Sequence, residues 1–162
     1  MDTMLSEIEK KQFVVSWQSI GDIVNNIKKI WQRGYASVSI SCLMNEDICF
    51  SISEDIIQVV LDNLILNSIQ QNENKSHLNI SIAINETDGN LHIAYNDDGK
   101  GLDKKYITNP RKILEVHETT RKNGHGLGMW IVNNTIVMSG GEITSISSSN
   151  GFAIEFIIGG KT

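Results

Sequence analysis

The sequence contains little cysteine, little proline and no uninterrupted apolar stretch of membrane-spanning length. Its two cysteines, Cys42 and Cys49, lack the C-x-x-C spacing and the nearby histidines of a zinc site. We therefore expect two free thiols in a reducing compartment. There is also no recognisable secretion signal. These absences predict a cytoplasmic chain without direct membrane contact.

Basic charge is also scarce. The chain has 14 Lys and Arg residues against 19 Asp and Glu residues, which gives a formal net charge of −5. No segment offers the basic stripe that nucleic acids or anionic membranes require. We therefore expect no nucleic-acid partner, and any bound polyanion must be held by a local site.

A chain of 162 residues is long enough to form one domain with an apolar core. Residues 1–16 are predicted to be a tail or the stub of an upstream element, and residues 17–162 to be the domain. Apolar residues at helical spacing predict helices at 17–31, 53–71 and 127–139, with Ser16 or Ser19 as the first N-cap. Alternating apolar residues predict hairpins of 35–44 with 48–52, 77–85 with 91–95, and 142–148 with 151–158.

This order of elements predicts an α+β fold, a two-layer sandwich of mostly antiparallel sheet with helices on one face. The polar stretch 103–125 contains the only proline, Pro110, and one short helix at 111–116. Such a stretch is typical of a long surface lid.

Three groups of residues suggest chemistry. Gly124, Gly126 and Gly128 alternate just before an apolar helix, a pattern that favours phosphate binding but that also occurs where only tight packing is needed. Asn63 and Asn67 lie one turn apart in an otherwise apolar helix, so they share a face and suggest a shared polar target. The predicted second strand of the middle hairpin ends in Asp97-x-Gly99-x-Gly101, which indicates a sharp bend beside a ligand.

Taken in order, the segments DNLILNS, NDDGKGL and GHGLGMWIV resemble the N, G1 and G2 boxes of the GHKL ATPases, with ILEVHETTR as a degenerate F box. This superfamily includes gyrase, the heat-shock chaperone, histidine kinases and the mismatch-repair ATPase. The chain is most similar to the ATP-binding catalytic domain of bacterial sensor histidine kinases, which has the Bergerat fold. The resemblance covers roughly residues 50–158 and implies ATP and Mg²⁺ as cofactors.

The resemblance also implies a role for each matching residue. Asp97 would accept a hydrogen bond from the exocyclic amine of adenine, and Asn67 would be the Mg²⁺ ligand, with Asn63 near the same phosphates. Arg121 and Lys122 would neutralise charge on the transferred phosphoryl group, although exposed lid cations of this kind are often only solvated. The remaining nucleotide-binding positions implied by the match are Gln70, Gly99, Gly101, Leu102, Gly124, His125, Gly126, Leu127 and Gly128.

Asn63 bears on the type of reaction. Related ATPases that hydrolyse ATP have a glutamate there as the base for water, whereas histidine kinases have asparagine and use an incoming histidine as nucleophile. The resemblance thus implies a kinase that donates the γ-phosphoryl of ATP to a histidine on a separate dimerisation domain, and indirectly to a response regulator. None of the chain's four histidines lies in such a domain. We therefore expect either an excised catalytic domain, for example the cytoplasmic part of a membrane-bound receptor, or a stand-alone member.

The sequence departs from the family pattern at several positions. His125 replaces the usual Thr, Ser or Gln, Gln70 replaces a phosphate-binding lysine, and Val116-His117 replaces the Pro-Phe of the F box. Phe152 stands where a threonine commonly supports the adenine carboxylate through water. Two alternatives stay open: a stand-alone GHKL serine kinase of the anti-sigma-factor type, and a degenerate nucleotide-binding module without transfer activity.

Overall fold

The computed structural model describes residues 16–44, 48–115, 128–148 and 150–159. Two short 3₁₀ helices, Lys104–Tyr106 and Pro110–Leu114, follow the fifth strand. The other elements, in chain order, are β1 (Ser16–Ser19), α1 (Ile20–Gly34), β2 (Val38–Leu43), β3 (Cys49–Ile52), α2 (Glu54–Gln71), β4 (Leu78–Thr87), β5 (Asn90–Asp97), α3 (Gly128–Met138), β6 (Glu142–Ser147) and β7 (Ala153–Gly159).

Five strands form one twisted layer in the order β2-β4-β5-β7-β6. All neighbouring pairs are antiparallel except β2 with β4, which is parallel. Alternate residues of β4, β5 and β7 are buried, so one face of the sheet is covered and the other is open to solvent. The helices cover the buried face. The predicted α+β two-layer fold of mostly antiparallel sheet is therefore confirmed.

Helix α2 forms the centre of the core. Its apolar residues are distributed nearly all round, and it packs against both α1 and α3. Five of its side chains are completely buried, with exposed fractions of 0%: Ile57, Val60, Leu61, Leu64 and Ile65. Because α2 is enclosed by apolar neighbours on most sides, polar residues on its remaining face are held in fixed positions.

The predicted hairpin of 35–44 with 48–52 is wrong. Strand β2 instead pairs in parallel with β4, where Val38 lies beside Leu78 and Ile40 beside Ile80. Strand β3 pairs antiparallel with β1 in a separate two-stranded sheet. The buried side chains of β2 belong to the main core, and they reach it only when β2 is part of the main sheet. The short turn between β2 and β3 therefore does not decide which strands pair.

The first predicted helix begins later than the apolar spacing suggested. Residues Ser16–Ser19 are β1, and Ser19 is the N-cap of α1, with its Oγ accepting from the backbone N–H of Asp22 at 3.3 Å. The helix ends at Gly34, three residues beyond the predicted range. On this helix Trp31 is half-buried, and its Nε1–H donates to Oδ1 of Asp62 on α2 at 2.7 Å. Residues Ser16–Ser19 therefore pair with β3, and α1 begins only after them.

The hairpin of β4 and β5 is confirmed, and both Asp88 and Gly89 have the positive φ that such a two-residue turn requires. The final hairpin of β6 and β7 is also confirmed. The predicted surface lid needs correction in its described part, 103–115. Tyr106, Ile113 and Leu114 are buried there, so this part of the stretch packs on the core.

The predicted helix at 111–116 corresponds to the 3₁₀ helix Pro110–Leu114. The predicted lid residues 116–125 lie outside the described part of the chain. Within the described ranges, no helix combines the length and the apolar composition needed to cross a bilayer.

Candidate functional site

Asp97 is the last residue of β5 and is one of the few charged or polar side chains buried in the domain, with 3% of it exposed. The period of the strand explains this position, because Leu91, Ile93, Tyr95 and Asp97 alternate on the buried face. Its carboxylate accepts three hydrogen bonds from the residues that the structure describes: from Ser68 Oγ at 2.6 Å, Gly99 N–H at 2.9 Å and Phe152 N–H at 3.2 Å. A carboxylate has about four acceptor positions, so one stays available to a ligand.

A chain of hydroxyl groups leads from Asp97 into the core. Ser68, on α2, lies 2.6 Å from both Oδ2 of Asp97 and the hydroxyl of Tyr95. The Tyr95 hydroxyl also lies 3.0 Å from the backbone carbonyl oxygen of Leu64. Burial raises the pKa of Tyr95, the Ser68 hydrogen bond lowers it by less, and the nearby Asp97 charge adds a smaller increase. The tyrosine therefore keeps its proton and acts as a neutral donor.

The loop before β7 supports Asp97 from the other side. Phe152 donates its backbone N–H to the Asp97 carboxylate, and its carbonyl accepts the Asp97 N–H at 2.9 Å. Gly151, with φ of +95°, passes so close that a Cβ there would meet the carbonyl oxygen of Asp97. The side chain of Phe152 is buried and carries no hydroxyl. In this chain, the backbone of Phe152 therefore contacts the carboxylate directly.

The loop that follows Asp97 is fixed at two points. The N–H of Lys100 donates to Oδ1 of Asn72 at 2.9 Å, and the N–H of Leu102 donates to Oγ of Ser148 at 2.6 Å. Gly101 has a φ of +79°, and a Cβ there would meet Ser148 Oγ. The loop from Gly99 to Leu102 therefore has a defined shape that glycine alone permits at position 101.

Asn63 and Asn67 lie one turn apart on α2, as their spacing predicted, and Gln70 follows three residues later; all three are half-buried. The Nδ2 of Asn63 donates to the Val59 carbonyl at 2.7 Å, which leaves its Oδ1 directed away from its own helix backbone. That oxygen is 3.9 Å from the position of a Cβ on Gly128, the first residue of α3. Asn63 therefore lies beside the start of the α3 helix, as the motif order predicted.

The amide of Asn67 has no hydrogen-bond partner among the described residues. An amide oxygen is a suitable Mg²⁺ ligand when phosphate oxygens and waters complete an octahedral shell. No cluster of three or more His, Cys, Asp or Glu suited to a metal occurs in the ranges that the structure describes. The described donors therefore fit a metal held largely by its nucleotide.

Several predicted site residues cannot be placed. Arg121 and Lys122 lie outside the described residues, as do Gly124, His125, Gly126 and Leu127. Their predicted roles toward the phosphates stay predictions. The structure thus brings together the adenine half of the predicted site and the two asparagines of α2, with Gly128 at the border of the phosphate half.

Asp98, next to the central carboxylate, has a different environment. Both of its oxygens accept from Asn79 at 2.8 Å, and Lys75 lies 3.8 Å away. Desolvation acts to raise its pKa, but the Asn79 hydrogen bonds and the Lys75 charge together outweigh it, so the pKa of Asp98 is lowered. Its side chain is 45% exposed. Asp98 therefore anchors the end of β5 to β4 and takes no part in the buried hydrogen bonds around Asp97.

Four residues of the site were not predicted: Ser68, Asn72, Tyr95 and Ser148. Two of them carried a usable signal. Ser68 follows Leu61, Leu64 and Ile65 at helical spacing, which places it on the buried face of α2. Tyr95 precedes Asp97 by two residues and so shares its face of the strand. Asn72 and Ser148 lie in irregular backbone, where the sequence pattern does not define a direction.

Comparison with known proteins is consistent with this geometry. Residues 52–160 match the family model described as histidine kinase-, DNA gyrase B-, and HSP90-like ATPase. The sensor histidine kinase WalK of Bacillus subtilis (strain 168) is 30% identical over 123 residues, which cover 72% of this chain and 20% of WalK. The chain thus spans about a fifth of the length of the curated relatives it matches.

Solved structures give the same fold. The catalytic domain of histidine kinase ThkA superimposes with a TM-score of 0.76 at 20% identity, covering 91% of this chain and 97% of ThkA's domain. Full-length ShkA in complex with AMPPNP gives a TM-score of 0.74 at 16% identity, covering 91% of this chain and 31% of ShkA. Since the family model matches most of the chain, this protein belongs to the family of histidine kinase-, DNA gyrase B- and HSP90-like ATPases, as an ATP-binding catalytic domain of the histidine kinase type.

Proposed function

We propose that this domain binds Mg·ATP and donates the γ-phosphoryl group to a histidine on a separate dimerisation domain, as the catalytic domain of a sensor histidine kinase in two-component signalling. The phosphoryl group would pass from that histidine to a response regulator. The observation that carries the proposal is the buried carboxylate of Asp97, which has three protein donors and one acceptor position left.

The carboxylate explains the choice of base. It accepts hydrogen bonds and cannot donate them, so it suits the exocyclic amine of adenine and rejects the carbonyl that guanine has at the same position. Gly99, Gly101 and Leu102 would lie along the base, in the loop fixed by Asn72 and Ser148. ShkA, whose fold this chain shares, is described in complex with AMPPNP, an ATP analogue.

The triphosphate would lie between α2 and the start of α3. Asn67 would supply an amide oxygen to Mg²⁺, and Asn63 and Gln70 would contact phosphate oxygens from the same helix face. When bound, the metal neutralises charge on the phosphate oxygens. The glycine-rich segment Gly124–Gly128 with His125 and Leu127, and the cations Arg121 and Lys122, would enclose the phosphates from the side of the predicted lid.

Asn63 favours transfer over hydrolysis. A glutamate at this position could accept a proton from water, but an amide cannot do so at neutral pH. ATP would therefore persist until an imidazole nitrogen attacks the γ-phosphorus, forming a P–N bond while the bond to the β-phosphate oxygen breaks and ADP leaves. We therefore expect slow turnover of ATP when no acceptor is present.

The test is transfer of label from [γ-³²P]ATP to a purified dimerisation domain that carries a phosphoacceptor histidine. We expect acid-labile, base-stable label on that domain, and none when its histidine is replaced by alanine. Little ADP should form in the absence of the acceptor. Acid-stable label on a serine would favour the serine-kinase alternative, and binding of ATP without any transfer would favour a nucleotide-binding module.

A further inference from the structure

The tyrosine in the hydroxyl chain behind Asp97 has two possible acceptors, Ser68 Oγ and the carbonyl oxygen of Leu64, and the distances favour Ser68. Three contacts join Asp97, Ser68, Tyr95 and the carbonyl of Leu64, but the two hydroxyl groups supply only two protons. The Asp97–Ser68 and Ser68–Tyr95 oxygens are both 2.6 Å apart, a separation at which two oxygens without a proton between them repel. The remaining contact, Tyr95 to Leu64, is longer at 3.0 Å.

The direction of donation follows. A carboxylate accepts, so the proton of Ser68 lies on its contact with Asp97. The 2.6 Å contact between Ser68 and Tyr95 then takes the tyrosine proton in preference to the longer contact with the Leu64 carbonyl. Burial raises the pKa of Tyr95, so the tyrosine stays protonated. Tyr95 therefore donates to Ser68. Of the two oxygens that Ser68 Oγ contacts, Oδ2 of Asp97 is then the one to which Ser68 donates.

We propose that Tyr95 and Ser68 are positioning residues for base recognition. Together they form an oriented hydroxyl relay that fixes the Asp97 carboxylate so that its remaining acceptor position meets the exocyclic amine of the nucleotide. The proposal rests on the proposed function, because it assumes that Asp97 receives this amine. Neither hydroxyl touches the reacting phosphates, so the effect is on base recognition and not on the transfer step.

The geometry supports a role beyond packing. Ser68 is 1% exposed and Tyr95 is 1% exposed, so both hydroxyls are shielded from water and depend on each other for hydrogen bonds. Backbone N–H groups of Gly99 and Phe152 already hold Oδ1. Ser68 is the only described donor to Oδ2, so it sets the rotation of the carboxylate about its last bond.

The experiment compares two nucleotides that differ only at the amine. Calorimetry would measure binding of Mg·ATP and of purine riboside 5′-triphosphate, which has hydrogen in place of the amine, to the full chain and to Ser68→Ala and Tyr95→Phe. We expect Ser68→Ala to weaken ATP binding about five- to tenfold, the net contribution of one typical hydrogen bond, and to leave the affinity for the analogue within about twofold. Tyr95→Phe should show the same pattern with a smaller loss.

Two controls make the result specific. Ser139→Ala removes another buried helix hydroxyl, which donates to the Ile136 carbonyl and has no contact with Asp97, so both affinities should stay unchanged. The double variant Ser68→Ala/Tyr95→Phe should bind ATP as Ser68→Ala does, because Tyr95 acts through Ser68. Melting curves without nucleotide would verify that each variant is folded. If Ser68→Ala does not fold, Tyr95→Phe carries the same comparison.

The outcomes separate the two proposals. If the variants weaken the binding of both nucleotides equally, or leave the preference for ATP unchanged, the relay is overturned while the proposed function stays in place. Failure of the unmodified chain to bind ATP, or to prefer it over the analogue, would overturn the adenine assignment and the relay with it. A preference that falls selectively in both single variants, without further loss in the double variant, would support the relay.

Discussion

The side-chain oxygen of Asn72, at the C-terminal end of α2, accepts a hydrogen bond from the backbone N–H of Lys100 at 2.9 Å. The nitrogen of the same amide donates to the carbonyl of Ser68 at 2.7 Å. One side chain thus connects the end of the central helix with the loop after Asp97. This connection fixes the distance between the helix that carries the asparagines and the loop proposed to lie along the base.

Replacement of Asn72 should therefore loosen the loop. In Asn72→Ala we expect faster amide hydrogen exchange at Lys100 and about fivefold weaker ATP binding, because a single hydrogen bond contributes about 1 kcal/mol. Asn134→Ala, in which an exposed asparagine of α3 is removed, is the matched control. Unaltered exchange at Lys100 in Asn72→Ala would show that the loop holds its shape without this contact.

Gly151 gives a prediction about stability. Gly151→Ala would require a side chain at a φ of +95° and would push a Cβ into the carbonyl oxygen of Asp97. We expect a loss of about 2–4 kcal/mol in the free energy of unfolding, measured by urea denaturation. Gly34→Ala is the control, since its Cβ meets nothing within 4 Å, and it should change stability by less than about 1 kcal/mol. Similar losses in the two variants would contradict this explanation.

Asp98 gives a pH dependence whose sign is fixed by its lowered pKa. A carboxyl group with a folded-state pKa below its ordinary value of 3.8 stabilises the fold above that value, and the contribution is lost as the pH falls through the folded-state pKa. Asp98→Asn should therefore be less stable than the unmodified chain at neutral pH, by less than about 1 kcal/mol because the group is solvent-screened. Denaturation at a series of pH values would test this. A difference that grows toward acid pH would have the wrong sign.

The sequence was sufficient for the fold class because the buried elements carry strong local signals. In α2 the apolar residues define a helix, and in β4 and β5 the alternation and the Asp88-Gly89 turn define a hairpin. It was not sufficient for β2 and β3, because alternation shows which face of a strand is buried and not which strand lies beside it. Val38 pairs with Leu78 across 40 positions of sequence, a choice set by the whole core.

The same distinction applies to the site. The sequence could single out Asp97, Asn63 and Gly128, since each lies at a defined point of a strand or helix. The residues that hold Asp97 in place were missed because they act through contacts between distant parts of the chain. The contact from Phe152 uses backbone, so no feature of its side chain could predict it.

The most direct test of the central claim is the effect of Asp97→Asn on stabilisation by Mg·ATP. Asparagine has the same shape, and its amide nitrogen can donate to Ser68 Oγ, so the fold should persist. At ATP concentrations a hundredfold above Kd, the unmodified chain should gain about 2.7 kcal/mol, which raises Tm by roughly 5–10 °C. Asp88→Asn, in an exposed turn, should keep that shift. We predict no shift for Asp97→Asn, and a full shift in that variant would contradict the assignment of Asp97 to adenine.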